Sequence, residues 1–261
     1  PRLEFWHNRS MSGGPQHKAF FEQLSEPFAA EALFDHMPDT VFFIKDRDGR
    51  YVSANRTLVE RCGLRDKSQL LGLRPSDVLG ETLGRGYEQQ DQVVFETGQK
   101  LIDQLELHTV RSREIGWCLT TKMPLFAKGG AIAGLVGISR DLRIPDMKSD
   151  DFAHISDAIR FAEQHISRRP TIAELASIAG MSIYQLDRRM QRVFGLTTGQ
   201  WVLKTRITHA SRVLLESDLP VADVALEAGY ADQSAFTRQF RRSTGLSPSE
   251  YRRVRQSGRR H

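Results

Sequence analysis

Two arginine-rich segments near the C-terminus contain side chains that could recognise an anionic, base-paired polymer. Helical spacing predicts that Ile183, Leu186 and Met190 of the first segment, and Phe236 and Phe240 of the second, face a hydrophobic core. The outward positions are Tyr184, Gln185, Arg188, Arg189 and Arg192 in the first segment and Gln233, Ser234, Thr237, Arg238 and Arg241 in the second. Arginine and glutamine form bidentate hydrogen bonds with guanine and adenine, so both segments are candidate DNA-reading helices.

The distribution of charge favours the same interpretation. The chain of 261 residues has 37 Lys and Arg against 32 Asp and Glu, a net charge of +5. Residues 151–261 contain 17 Lys and Arg against 11 Asp and Glu, whereas residues 1–150 contain 20 against 21. All but one of the 17 cations are arginine, which suits bidentate contacts with phosphates and guanine edges. A solvated basic surface is the alternative that charge alone leaves open.

An internal repeat places the two segments in equivalent positions. IAELASIAGMSIYQLDRRMQRVFGLTTGQW aligns with VADVALEAGYADQSAFTRQFRRSTGLSPSEY, about 50 residues later in the chain. Each copy predicts a short apolar helix that ends at Ala-Gly, a turn, and a second helix that ends at Gly-Leu, which is the form of a helix-turn-helix. In such a pair the second helix enters a major groove of DNA.

A long helix is predicted between the two copies, from Thr198 to Glu216. Its 19 residues at 1.5 Å per residue give a length of roughly 28 Å. This is close to the ~34 Å that separates successive major-groove faces. One chain could therefore contact two adjacent major grooves of double-stranded DNA.

Residues 152–256 resemble the DNA-binding domain of the AraC/XylS family of bacterial transcription regulators. The second copy, DVALEAGYADQSAFTRQFRRSTGLSPSEYRR, follows the family pattern throughout. The first copy departs from it, because Gly195-Leu196-Thr197-Thr198 and Trp201 stand where the family usually has Gly-x-x-Pro followed by Tyr. The sequence therefore leaves open how the connecting helix begins.

The resemblance implies a role for each outward side chain. Base contacts are expected from Tyr184 and Arg188 in the first helix and from Gln233, Ser234, Thr237 and Arg238 in the second. Phosphate contacts are expected from Arg189, Arg192, Arg241 and Arg242, and Gln185 lies among the candidate contacts of the first helix. Asp187 could accept a hydrogen bond from a cytosine amino group or orient Arg188, and we favour the second role.

The N-terminal half predicts a different fold. TVFFIK and YVSA form a hairpin around Asp-Arg-Asp-Gly, a helical region follows, and three more strand-like runs end with the segment 131–141. This order indicates one five-stranded antiparallel sheet with helices, an α+β fold. LFDHMPDTVFFIKDRDGRYVSAN and GLVGISRDL resemble a PAS domain, a sensor module that holds small ligands or cofactors between sheet and helices.

These patterns divide the chain into two domains. Residues 1–26 are an N-terminal extension that contains the start of an amphipathic helix, and residues 27–143 form the PAS sensor domain. Residues 144–150 read as a polar linker, and residues 151–261 form an all-α domain of two helix-turn-helix units joined by the long helix.

Alternation along the strands gives the sheet two different faces. One face is oily, with Phe42, Ile44, Leu105, Leu107, Trp117, Leu119, Val136 and Ile138. The other is mixed, and position matching to PAS domains assigns as ligand-binding residues Phe43, Lys45, His108, Cys118, Thr120, Leu135 and Ser139. In that arrangement the oily face is covered by the helix over residues 16–34, through Phe20, Phe21, Leu24, Phe28 and Leu33, and by a partner subunit. The alternative is that the oily face packs against the domain's own helices and the mixed face is in water.

Several classes of site are excluded or disfavoured. Two cysteines provide neither a disulfide framework nor four metal thiolates, and they fit a protein of the reducing cytoplasm. His36 and His108 have no surroundings typical of a haem ligand, and Cys62 and Cys118 do not lie in a flavin-adduct motif. We therefore expect no cofactor, no metal site, no membrane segment and no enzyme activity.

We expect a ligand-responsive, sequence-specific transcription regulator that acts as an activator. Its effector would be small and polar, such as an amino or imino acid whose carboxylate meets Lys45 or His108. Its partners would be double-stranded DNA, RNA polymerase and a second copy bound through the PAS half. A redox or cofactor sensor is one alternative, and an architectural DNA-binding protein without an effector is another.

Overall fold

The computed structural model describes residues 30–109, 115–142 and 145–258. Within these ranges, no helix combines the length and the apolar character that crossing a lipid bilayer requires. Phe20, Phe21, Leu24 and Phe28, which the sequence assigns to the N-terminal helix, lie outside the described residues.

The N-terminal half forms the predicted five-stranded antiparallel sheet with helices on one face. Its elements are α1 (Ala30–Phe34), β1 (Thr40–Asp46), β2 (Tyr51–Ala54), α2 (Arg56–Arg61), α3 (Pro75–Leu79), α4 (Glu81–Thr97), β3 (Leu101–Thr109), β4 (Ile115–Phe126) and β5 (Ile132–Asp141). The strands are ordered β2-β1-β5-β4-β3, so β2 and β3 are the edges. The fold class predicted from the sequence is confirmed for this half.

The mixed face of the sheet is turned toward these helices. Val41, Phe43 and Leu135 of this face form a core with Leu58 of α2 and Val94 of α4. Phe43 lies opposite Gly137 of β5, and a Cβ atom on that glycine would be 2.4 Å from the Phe43 ring. Glycine is required there because the ring lies directly over the neighbouring strand.

The C-terminal half is helical, as predicted, and its described residues form seven α-helices. They are α5 (Asp150–Gln164), α6 (Ile172–Ile178), α7 (Ile183–Phe194), α8 (Thr198–Glu216), α9 (Val221–Glu227), α10 (Gln233–Thr244) and α11 (Pro248–Gly258). The long connecting helix, α8, has the predicted bounds. Phe236 and Phe240 are completely buried, as expected. The expectation that Ile183 is a core residue is wrong, because it lies in the first turn of α7 and is 50% exposed.

The oily face of the sheet is covered in large part by the helical half. Leu105 of β3 and Leu119 of β4 are buried in one hydrophobic core with α5, α6 and α7, and Trp117 contacts both this core and that of the second helix-turn-helix unit. The sequence analysis predicts instead that the N-terminal helix and a partner subunit cover this face of the sheet. Only the described end of that helix agrees, since Phe34 stacks on Phe42 with ring centres 4.6 Å apart, whereas Leu33 is 64% exposed.

The shared core predicts that a single substitution on the sheet destabilises the whole chain. Leu105→Ala removes a side chain that is 2% exposed and should lower the free energy of unfolding by about 2–5 kcal/mol, because a cavity remains between sheet and helices. Val52→Ala, at a 55% exposed position of β2, is the control and should change it by less than about 0.5 kcal/mol. Urea denaturation of the full chain measures both. Equal, small effects would show that the oily face does not pack against the helices.

Candidate DNA interface and sensor cavity

The first helix-turn-helix unit is fixed by two capping boxes. At the start of α6, Thr171 Oγ1 accepts from the Glu174 backbone N–H, and Glu174 Oε2 accepts from the Thr171 backbone N–H. Ser182 and Gln185 repeat this exchange at the start of α7. Each box satisfies two backbone donors that a helix start leaves unpaired, so the angle between α6 and α7 is set locally. Gln185 therefore uses its side-chain oxygen within the protein and offers its amide nitrogen outward.

The outward face of α7 contains the predicted DNA-binding residues of the first unit. Tyr184 is 70% exposed, and the Arg188 guanidinium lies 5.8 Å from the centre of its ring. Gln185, Arg188 and Arg192 are exposed, and Arg189 is half-buried. Because Tyr184 and Arg188 are one turn apart, they form a contiguous surface at the N-terminal part of α7, the part that reaches base edges in helix-turn-helix proteins.

Two of the expected phosphate contacts are already ion-paired within the protein. Arg189 Nη1 lies 2.7 Å from Asp151 Oδ1, and Arg192 Nη1 lies 3.3 Å from Asp151 Oδ2. Asp151 is in the first turn of α5, so this cluster joins α7 to the start of the helical half. A phosphate that binds either arginine would have to compete with Asp151.

Asp187 has a role different from the two that the sequence suggests. Its Oδ1 accepts from the backbone N–H of Thr198 at 2.7 Å and also from the Thr198 hydroxyl. Thr198 is the first residue of α8, where Thr197 and Gln200 form a further capping box. Asp187 therefore anchors the start of the connecting helix to α7, rather than a base or Arg188. This contact also shows how α8 begins without the proline that is usual in the family pattern.

The second unit presents a similar face on α10. Gln233, Ser234, Arg238, Arg241 and Arg242 are exposed, and Thr237 is half-buried. Asp232 caps this helix by accepting from the Ala235 backbone N–H at 2.8 Å. Among the arginines, Arg241 lies 3.7 Å from Glu250 of α11, so it is partly neutralised.

A cavity of about 50 Å³ lies between the mixed face of the sheet and the PAS helices. At about 10–15 Å³ for each water, it has room for roughly three to five water molecules. Four of the seven predicted ligand-binding residues line it, namely Phe43, Lys45, His108 and Ser139. Cys118, Thr120 and Leu135 are completely buried on the same face, where Thr120 Oγ1 is 2.9 Å from Ser139 Oγ, but they do not line the cavity.

Lys45 is held by a buried carboxylate that sequence reasoning missed. Asp91 of α4 contacts Lys45 Nζ at 2.5 Å and Lys122 Nζ at 2.6 Å, and all three side chains are at most 3% exposed. Burial alone would raise the pKa of Asp91, but the two ammonium groups outweigh it and lower the pKa. Burial lowers the pKa of Lys45, and Asp91 opposes that change. The carboxylate thus compensates two buried cations that the sheet alone would leave unpaired.

Glu106, on the same face, holds the predicted ligand-binding residue His108. His108 Nε2 lies 3.0 Å from Glu106 Oε2, and Gln90 of α4 donates to the other carboxylate oxygen. Burial lowers the pKa of His108, but Cys118 and Glu106 outweigh it and raise the pKa to about 10. The Tyr87 ring packs edge-on against His108, with centres 5.0 Å apart. His108 is therefore engaged within the protein on two sides.

Arg61 of α2 lines the cavity, and its guanidinium has hydrogen-bond donors that lack an acceptor among the described residues. Its side chain is 4% exposed, and its Nη2 donates to Asp141 Oδ2 at 2.6 Å. Among the described residues, Nε and Nη1 are buried without a hydrogen-bond partner, as is Oδ1 of Asp141. Each buried donor without a partner costs about 1–3 kcal/mol, so this guanidinium favours an acceptor in the cavity.

Sequence reasoning did not assign Arg61 or Asp91 because both come from helices rather than strands. A signal for Asp91 was present, since Tyr87, Asp91 and Val94 recur at helical spacing on the apolar side of α4. An acid on an apolar helix face requires a buried cation as its partner. Arg61 comes two residues after the buried Val59, but its environment is decided by the distant Asp141, which no local pattern indicates.

The contact of Asp187 with Thr198 predicts a stability effect without a change in base preference. Asp187→Ala should lower the free energy of unfolding by about 0.5–2 kcal/mol, because two hydrogen bonds at the start of α8 are lost. Asp218→Ala, at an exposed position beyond the end of α8, is the control. Denaturation and DNA-binding titrations on both variants distinguish the roles. Altered preference at one base pair with unchanged stability would assign Asp187 to the DNA instead.

The buried pair of lysines predicts a larger effect for Asp91. Asp91→Asn leaves two buried ammonium groups without a counter-charge and should cost about 3–5 kcal/mol of unfolding free energy. Glu96→Gln, on the exposed side of the same helix, should change it by less than about 0.5 kcal/mol. Chemical denaturation measures the difference. If the two variants were equally stable, Asp91 would not be the compensating charge.

Comparison with known proteins finds relatives for each half of the chain. Residues 34–144 match a family model described as "PAS fold", and residues 175–254 match one described as "Helix-turn-helix domain". The regulatory protein SoxS of Escherichia coli is 33% identical over 98 residues, which cover 38% of this chain and 92% of SoxS.

Two further relatives match a part of the chain. The probable transcriptional regulator LumQ of Photobacterium leiognathi is 32% identical over 114 residues, 44% of this chain and 46% of LumQ. The transcriptional activator NphR of a Rhodococcus species is 42% identical over 86 residues, 32% of this chain and 24% of NphR. The matched part of the chain thus spans less than half the length of LumQ and of NphR.

The matched part of the chain covers nearly the whole length of SoxS. SoxS is described as a regulatory protein, LumQ as a probable transcriptional regulator and NphR as a transcriptional activator. The chain belongs to the AraC family of DNA-binding transcription regulators and combines the helix-turn-helix domain of that family with a PAS domain.

Proposed function

We propose that the protein activates transcription in response to a small, polar, anionic or zwitterionic effector that binds in the cavity of the PAS domain. The observation that carries this proposal is the guanidinium of Arg61, which lines the cavity and has two buried donors without an acceptor in the described part of the chain. Nε–H and the Nη1 hydrogens point to different sides of the guanidinium, so each can donate one charge-assisted hydrogen bond to an anionic oxygen such as that of a carboxylate. Amino and imino acids are the effector class that this chemistry favours.

The anchor differs from the one that the sequence suggests. Lys45 is bound by Asp91 and His108 is bound by Glu106, so neither cation is free to receive a carboxylate without the loss of an internal ion pair. Arg61 retains two donors after its bond to Asp141. The small size of the cavity also limits the effector to a few heavy atoms, unless a wall side chain moves.

A route from the cavity to the DNA-binding half runs through the first turns of α4. Leu83 lines the cavity and also packs against the hydrophobic core of the second helix-turn-helix unit. Three residues later, Gly86 lies against the turn between α10 and α11, where a Cβ atom would be 2.9 Å from the carbonyl oxygen of Gly245. An effector that displaces α4 would therefore change the support of α10, one of the two predicted DNA-reading helices.

The activator role and the partners are parts of the same proposal. NphR is named as a transcriptional activator, and activation implies contact with RNA polymerase. For a homodimer through the PAS half, the supporting feature is the part of the oily sheet face that the helical half leaves uncovered. There Met123 and Leu125 are 39% and 36% exposed. A second copy would bury this surface.

The DNA-binding part of the proposal predicts different effects for two arginines of α10. Arg238→Ala should weaken specific binding by roughly 1–3 kcal/mol and relax base preference at one position. Arg242→Ala should weaken binding to all sequences alike and reduce the salt slope by about one, because it removes a phosphate contact. Binding titrations at several salt concentrations on specific and mismatched duplexes separate the two. Intact discrimination in Arg238→Ala would remove Arg238 from the base-reading residues.

The effector part predicts stabilisation by a member of a panel of small amino acids, imino acids and carboxylates. A ligand at 100 times its dissociation constant should add about 2.7 kcal/mol to the free energy of unfolding. The gain should disappear in Arg61→Met and persist in Arg65→Met, which changes an exposed arginine one turn later. Thermal unfolding of the full chain measures it. Stabilisation that survives in Arg61→Met would place the carboxylate elsewhere, and a panel without any stabilising member would overturn the effector class.

A further inference from the structure

Three potential metal ligands meet on the mixed face of the sheet. Glu106 and His108 are on β3, Cys118 is on β4, and Glu106 and Cys118 are direct cross-strand partners. One ligand atom from each residue lies within 4.8 Å of the other two. Glu106 is 2% exposed and Cys118 is completely buried, and His108 lines the cavity. The sequence did not assign a metal site, because two different strands bring these residues together.

The donor set is one that divalent transition metals prefer. An imidazole nitrogen, a thiolate sulfur and a carboxylate oxygen are the three protein ligand types of zinc. Two donors on one tetrahedral zinc ion lie roughly 3.3–3.7 Å apart, given bonds of about 2.0–2.3 Å. His108 Nε2 and Glu106 Oε2 are 3.0 Å apart. None of the three distances between ligand atoms exceeds 4.8 Å, so the longest would have to shorten by about 1 Å for all three atoms to bind one zinc ion. Calcium and magnesium are disfavoured, since they require a larger set of oxygen ligands.

The charges around the cluster can accommodate such an ion. Lys45 and Lys122 are compensated by Asp91, which leaves one positive charge beside the negative charge of Glu106. A divalent ion binds cysteine as the thiolate and histidine as the neutral imidazole. Protons released from the ligands on binding offset part of the positive charge that the ion brings.

Neighbouring side chains hold the three ligands in place. Gln90 donates to Glu106, the Tyr87 ring packs against His108, and Thr120 Oγ1 lies 3.7 Å from Cys118 Sγ. Hydrogen bonds of this kind around a metal site orient its ligands and increase its affinity. Three protein ligands leave the fourth tetrahedral position open, and the cavity lies on the side of His108.

We propose that Glu106, His108 and Cys118 bind one divalent transition-metal ion of the zinc type, with its open position toward the cavity. The site goes beyond the proposed effector response, because metal binding is measured without an effector or DNA. An exogenous donor atom, such as a carboxylate oxygen or an amine, would complete the coordination.

The test is metal binding by the full chain, with zinc and cobalt as the probes. After equilibrium dialysis against Zn²⁺, elemental analysis should find one ion per chain in the wild type and a background level in Cys118→Ser and His108→Gln. Titration with Co²⁺ should produce the thiolate charge-transfer absorption and the intense visible bands of a tetrahedral site. Bound Zn²⁺ should also protect Cys118 from alkylation, which mass spectrometry reads peptide by peptide.

Matched controls make the result specific to the cluster. Cys62→Ser removes the other thiol of the chain, and His154→Gln removes an exposed imidazole of α5, so both should retain one ion per chain. The cobalt spectrum and the alkylation pattern are read on the wild type, so they stand even where a variant folds poorly. Absence of a stoichiometric ion or of the thiolate band in the wild type would overturn the proposal. Retention of the ion in folded Cys118→Ser, or its loss in Cys62→Ser, would also overturn it.

Discussion

The PAS sheet is packed on both faces, and the rest of the structure depends on this constraint. Successive residues of a strand point to opposite sides, so β4 directs Cys118, Thr120 and Lys122 toward the PAS helices and Trp117 and Leu119 toward the helix-turn-helix units. A slip of one residue in register would exchange the two sets and bury the wrong side chains against each partner. The same strand pairing therefore builds the cavity and attaches the DNA-binding half.

Packing on both sides forces polar groups into places without water, and the protein compensates them in pairs and triplets. Asp91 joins Lys45 to Lys122, Glu106 receives His108 and Gln90, and Arg61 binds Asp141. Breaking such a contact is costly because the remaining charge stays buried. Two donors of the Arg61 guanidinium have no acceptor among the described residues, so this buried cation favours an acceptor from outside the protein.

The DNA-binding half follows a different principle, in which local hydrogen bonds at helix ends define the geometry. Capping boxes begin α6, α7 and α8, and Asp187 connects the end of the first unit to the connecting helix. The capping boxes span three residues and the Asp187 contact spans 11, so these contacts hold the helix starts while the outward arginines stay accessible. The contact of Gly86 with Gly245 and the packing of Leu83 are the points at which the cavity wall meets this rigid half.

The sequence by itself determined the two folds, the bounds of the connecting helix and most of the outward face of the two helix-turn-helix units. Period-2 and period-3.6 patterns, caps and the repeat are local signals, and α8 begins and ends at the predicted residues. Only the tertiary structure decided which buried charged side chains have an ion-pair partner and which retain unpaired hydrogen-bond donors. The partners of Lys45, Arg61 and Asp187 lie 46, 80 and 11 residues away, and the covering of Leu105 comes from another domain. Such contacts depend on how whole elements pack, and a short sequence window contains no record of that packing.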